Sequence, residues 1–219
     1  MSIVKPSTDG KFFVEYGKHI KYYKRNKPEL KDLFQTVDKP IAVIGSGPSV
    51  MEDFKKVPKG ALCFAVNFHF LEKGLFNFKW LAFLDDPHRG VNSENKVKYY
   101  SRFRGVKFSN KMAWTDVYCV DEEPLIVGDS GIFAIWIALY LTTDKVYVCG
   151  MNNRNPNEPM YSELSHVSGT WPAFDAPIKI KYGRWSMLYE SAEAPQRMVI
   201  FNNEIRSFLD KKGYETHEV

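Results

Sequence analysis

Gly45-Ser46-Gly47-Pro48-Ser49 follows a short apolar run, Ile41-Ala42-Val43-Ile44. Glycines at such a point let the backbone turn tightly and leave its N–H groups uncovered. Pro48 suits the first turn of a following helix, where its missing N–H would be unpaired anyway. A strand, a glycine turn and a helix start together make a cradle for a phosphate or carboxylate, although the same residues also serve as a plain β-to-α turn. Gly128-Asp129-Ser130-Gly131 opens a second apolar segment. Its small residues favour an anion or a carbonyl, or simply cap the helix. Asn67 ends another apolar run, and its amide both donates and accepts, which suits a ribose or a base edge as well as a turn. Asp85 and Asp86 follow a third run. Adjacent carboxylates there suit a divalent cation carrying a diphosphate, or hydrogen bonds to loop amides ahead of Pro87.

Proton transfer needs a group that titrates near neutrality. Of the five histidines, His166 is the leading candidate for a general base, because it lies in a polar loop after the last core strand. His69, His88 and His217 rank below it, and His19 lies outside the core. Tyr161, Tyr182, Arg154 and Arg184 flank the same loop and could stabilise a departing phosphate by hydrogen bonds and charge, or merely pack and solvate it. Two familiar loops are excluded. The third glycine of a dinucleotide fingerprint falls on Val50, and the second strand ends in Asn67 rather than the acid that holds a ribose in NAD enzymes. No Gly-Lys-Ser/Thr follows, so this is not a Walker A loop either.

These residues need a scaffold that brings strand ends together. Apolar runs at 40–44, 61–66, 79–84 and 145–149 read as buried parallel strands, with a short one at 106–108. Helices are expected at 49–56, 68–74 and 203–212, with a short one at 28–34. Ile132 to Leu141 is almost wholly apolar, too short to span a bilayer, and fits a helix buried in an α/β core. Residues 113–120 are ambiguous between helix and strand. The expected fold is a single Rossmann-like α/β domain with a mostly parallel central sheet flanked by helices. Residues 1–38 form an arm packing on the core, 39–150 the nucleotide-binding core, and 151–219 a lid-like loop region and C-terminal helix. Within the last part, 152–175 is rich in Asn, Pro, Ser and Gly, and loops of this length are usually functional.

Bulk properties narrow the partners. The chain has 219 residues and a formal charge of +4, a mild bias toward anions such as nucleotides, sugar phosphates or nucleic acid. Basic clusters at 21–27 and at Arg102, Arg104 and Lys107 make a nucleic-acid acceptor, DNA included, a sub-hypothesis. No run is long and apolar enough for a membrane span, and the first residues lack a signal-peptide core. The three cysteines, Cys63, Cys119 and Cys149, are odd in number and widely spaced, and Cys63 and Cys149 lie in apolar runs, which suggests reduced core thiols and a cytoplasmic location.

The order of motifs resembles the family-42 bacterial sialyltransferases: a strand into Gly-Ser-Gly-Pro-Ser, a second strand ending in Asn67, Ser130-Gly131 opening a helix with Ile137-Ala138-Leu139, and Val146 to Cys149 running into Gly150. It is also similar to the archaeal-type 6-hydroxymethylpterin diphosphokinases, through the same loop and Asp85 or Asp86. The resemblance covers about residues 40–150. The sialyltransferase resemblance implies a GT-A-type domain and a sugar transferred from a nucleotide-activated donor to an acceptor hydroxyl. It implies that Gly45, Ser46, Gly47, Pro48, Ser49 and Asn67 contact the nucleotide, that Ser130 and Gly131 lie near the sugar, and that Tyr161 and Tyr182 assist the leaving phosphate. A His then acts as base, with His166 or Asp86 in that role here, and no cofactor or metal is required. The diphosphokinase resemblance implies Mg²⁺ on Asp85 and Asp86. A non-catalytic nucleotide-binding module is the third reading.

Overall fold

A computed structural model describes residues 3–6, 12–16, 19–23, 37–71, 74–88, 92–109, 114–119, 129–151, 162, 165, 178–192 and 194–217. Within them the strands are β1 (Ile3–Pro6), β2 (Phe12–Tyr16), β3 (His19–Tyr23), β4 (Ile41–Ile44), β5 (Leu62–Val66), β6 (Phe78–Ala82), β7 (Val106–Ser109), β8 (Val117–Cys119), β9 (Val146–Cys149) and β10 (Met198–Ile200). The helices are α1 (Val50–Lys55), α2 (Ser93–Arg102), α3 (Ser130–Leu141), α4 (Ile178–Ser191) and α5 (Asn203–Lys211).

All these strands join one sheet, in the order β1-β2-β3-β8-β7-β6-β5-β4-β9-β10. From β8 to β10 every neighbouring pair is parallel, and β3, β2 and β1 extend the β8 edge in antiparallel fashion. The chain therefore walks outward from β4 to β8, then returns to place β9 on the other side of β4. That reversal is the topological switch point, where an open α/β sheet leaves a crevice beyond its strand ends.

Strand side chains alternate between two cores. Ile41 and Val43 of β4 face the layer of α3, α4 and α5, whereas Ala42 and Ile44 face α1. On β6, Trp80 and Ala82 join the first layer, and Leu81 meets Tyr99 and Tyr100 of α2 on the opposite side. Helices that follow outward steps lie on one face and those that follow the return lie on the other, as right-handed crossovers require. With both faces covered, the strands must be continuously apolar, and this made them readable.

α3 is the central packing element, with nearly every residue buried. A helix apolar all round belongs inside a core, and α3 touches β4, β5, β6 and β9. Its C-terminal carbonyls are covered from outside the helix. Arg197 donates from Nη2 to Leu139 O at 2.6 Å and from Nη1 to Thr142 O.

Several expectations change. Residues 68–71 form a turn instead of the start of a helix, because Phe68 and Phe70 fold down onto the sheet. The charged stretch after Pro87 contains α2, whose buried side carries Lys96, Tyr99 and Tyr100. Residues 178–200 supply α4 and β10, so this part of the chain belongs to the α/β core. Part of the N-terminal arm is strand, and the short helix expected at 28–34 lies outside the described residues.

Phe133 is fully buried on α3. Phe133→Ala is expected to cost about 3–5 kcal/mol through lost burial and a cavity, measured by urea denaturation.

Candidate functional site at the switch point

The glycine loop after β4 and the end of β9 are locked together by backbone. Gly45 N–H donates to Cys149 O at 2.8 Å, and Gly47 N–H donates to Gly150 O at 2.9 Å. A Cβ on Gly45 would stand 2.7 Å from Gly150 O. Gly150 has a φ of +65°, and a Cβ there would stand 2.8 Å from Gly45 O. Both positions need glycine because two main chains touch there. Asp53 completes the lock from within α1. Its Oδ2 accepts from Gly150 N–H at 2.9 Å and from the Ser49 hydroxyl at 2.7 Å. The sequence offered only a weak signal for Asp53, its place four residues after Ser49 on one helix face.

This arrangement differs from a simple phosphate cradle. The N–H groups of Gly45 and Gly47 are already used, and buried Asp53 places a carboxylate in the first turn of α1. The start of α3 is likewise self-capped, since Asp129 Oδ1 accepts from Gly131 N–H at 2.8 Å and Ile132 N–H at 3.2 Å. A ligand anion here needs a cation. Arg184 on α4 stands beside this helix start, ion-paired with its cap, Nη1 lying 3.7 Å from Asp129 Oδ2.

The glycine loop and the Ser130-Gly131 helix start do meet. Met151 is the contact between them, since its Sδ would lie 2.9 Å from a Cβ on Gly45 and 2.8 Å from one on Gly131. Ser130 also reaches the next strand end, where its Oγ accepts from Leu84 N–H at 3.2 Å. Ser162 crosses the glycine loop, donating its N–H to Ser46 O at 2.7 Å. Ser165 Oγ is hydrogen-bonded to His69 Nδ1 at 2.9 Å. His69 is buried and stacked on Phe68, two residues beyond Asn67. In the sequence it ranks below His166 as a base, and the fold places it three residues beyond the end of β5.

Asn67 adopts a left-handed backbone with φ of 58° at that same strand end. Its Oδ1 is buried and has no hydrogen-bond partner among the described residues. An orphaned buried acceptor costs about 1–3 kcal/mol and calls for an explanation.

The remaining candidates sit apart. Asp85 Oδ2 lies 3.5 Å from Lys96 Nζ, and Asp86 Oδ1 accepts from His88 N–H at 3.0 Å. The two carboxylates thus have separate partners, and no group of three or more His, Cys, Asp or Glu side chains converges as a metal cage among the described residues. Tyr182 stacks on Phe208 of α5 with ring centroids 4.4 Å apart. Pro48 is exposed at the loop tip and Ser49 is half-buried. His166, Tyr161 and Arg154 lie outside the described residues. Burial pushes the Cys63 thiol up to about 11 and drives Cys149 up further, with Asp53 adding to the second effect. Both thiols therefore stay protonated at neutral pH.

Asp53→Ala should lose about 1–3 kcal/mol in urea denaturation by orphaning Gly150 N–H. Asp53→Asn should retain most of that stability, because one oxygen of Asp53 accepts both bonds. Cys63 and Cys149 should resist iodoacetamide at pH 8 in the folded protein and react after unfolding, as read by mass spectrometry. No protein-family model, curated protein or solved structure matches this chain.

Proposed function

We propose that the chain is a glycosyltransferase that takes a sugar from a nucleotide-activated donor and passes it to an acceptor hydroxyl. The observation that carries this reading is the buried, unpartnered Oδ1 of Asn67 at the switch-point crevice. An acceptor in that position calls for a ligand donor, such as a ribose hydroxyl or the amino group of a base. On the same edge of the sheet the glycine loop and the Ser130-Gly131 helix start meet through Met151, and Arg184 pairs with Asp129 beside that start.

In the proposed reaction the acceptor oxygen bonds to the anomeric carbon, and the bond from that carbon to the donor phosphate breaks. The nucleotide leaves with the electron pair, and Arg184 offsets its charge. The acceptor proton passes to His166, Asp86 or His69. An acceptor within nucleic acid, DNA included, falls inside this proposal. Less supports the Mg²⁺-dependent diphosphokinase alternative, because Asp85 and Asp86 each face a different partner.

A thermal-shift screen with CMP, CDP, UDP, GDP and ATP, each with and without Mg²⁺, tests the reading. At 100 times its dissociation constant the right nucleotide should stabilise by about 2.7 kcal/mol, and EDTA should leave the shift intact. If no nucleotide moves the melting curve, the donor site is wrong. Asn67→Gly should melt at or above the wild type, because it removes a left-handed non-glycine residue and an orphaned oxygen. The same variant should lose most of the nucleotide shift. Among His166→Ala, Asp86→Asn and His69→Asn, the variant of the true base should bind nucleotide normally while donor turnover falls by about 10²–10⁴-fold. Binding with no turnover of any donor by the wild type would leave only a nucleotide-binding module.

A further inference from the structure

A cavity lies on the rim of the sheet opposite the switch point. Its volume is about 300 Å³, and Phe76, Phe78, Tyr99 and Phe103 line it with Arg102 and Arg104. Phe78 begins β6, Gly105 immediately precedes β7, and Arg102 ends α2, so the cavity sits at the strands' N-terminal ends. The switch-point crevice is at the other ends, roughly 15 Å away for strands of this length.

The walls of this cavity are set by packing. The Phe76 ring is buried and meets Phe54 edge-on at 4.8 Å and Phe78 at 5.4 Å. Phe103 is pressed onto Gly105, where a Cβ would stand 2.7 Å from its ring and 2.3 Å from Lys79 O. Any side chain at Gly105 would push this aromatic wall out of place. The rim is cationic. Both arginines are exposed, and among the described residues neither guanidinium has an ion pair or hydrogen bond. Arg102 gains a little from the negative end of α2, but Arg104 lies beyond the helix and has no such reason to be there.

Aromatic side chains beside unpaired guanidinium groups match a ligand that joins an aromatic ring to a phosphate. Bases stack on aromatic side chains whatever their identity, and arginine pairs with phosphate in a two-pronged geometry. We propose that this cavity binds one base-and-phosphate unit of an unpaired nucleotide, either free or within a single strand. A base held in a duplex could not enter it. The site does not depend on the donor-site reading, and Asn67→Gly should leave it unchanged.

Fluorescence anisotropy with fluorescein-labelled (dT)12, an abasic strand of equal length and dTMP as competitor tests the proposal. Wild type should bind (dT)12, and the abasic strand should bind at least about fivefold more weakly. Arg102→Ala/Arg104→Ala should melt like the wild type, bind at least tenfold more weakly, and flatten the slope of log K against log salt by about 0.7, for the one lost phosphate contact. Displacement of the strand by dTMP identifies a free nucleotide as sufficient. Strand binding that dTMP does not compete identifies a unit within a chain. No binding by the wild type, equal binding by the double variant, or equal binding of the abasic strand would overturn the proposal.

Discussion

Two backbones in direct contact govern the middle of this protein. β4 and β9 are neighbours in the sheet but far apart in the chain, and their ends touch through Gly45, Gly47 and Gly150. No side chain fits between them. Asp53 satisfies the amide of Gly150 that this contact buries. Everything at the switch point follows from that closeness: Met151 drops against Gly131, and Ser162 closes over Ser46. The glycines here serve chain approach more than anion capture. Carboxylates stand at the starts of both α1 and α3, and Arg184 pairs with the second of them.

α3 presents a different problem. Its surface is apolar on every side, so hydrophobic burial alone does not choose how the helix is rotated about its axis. Polar groups at its ends make that choice. Asp129 and Ser130 fix the start, the second by reaching Leu84, two residues beyond β6. Arg197 and Thr142 fix the finish, and Thr142 Oγ1 lies 2.6 Å from Lys39 O at the entry to β4. The orientation that brings Gly131 to Met151 is therefore set by a few hydrogen bonds, while most of the packing energy comes from the apolar surface.

The parts legible in the sequence were those with a single physical signature. β4, β5, β6 and β9 are buried on both faces and must read as apolar runs. α3 announced itself in the same way. α2 escaped because its buried side uses Tyr99, Tyr100 and the stem of Lys96, residue types that count as polar in a pattern search. α4 contains Ile-Lys-Ile-Lys, an alternation proper to strands, followed by Gly183. β10 is too short to stand out. In the site, Gly45 to Ser49, Asn67 and Ser130-Gly131 were visible because glycine turns at strand ends are sparse and positional. Asp53 looked like an ordinary acid at a helix start, and nothing local shows that its partner is Gly150. His69 was hidden among Phe68 and Phe70, since only the fold reveals that it stands at a strand end.

The uniform apolarity of α3 has a cost during synthesis. The helix leaves the ribosome before β9, α4 and β10 exist to cover it. For that interval the nascent chain carries Ile132 to Leu141 as an exposed greasy segment, broken by no charge. Such a segment is attractive to holdase chaperones and prone to associate with other unfinished chains. The burial that holds α3 in the finished domain is thus the same property that exposes the unfinished chain.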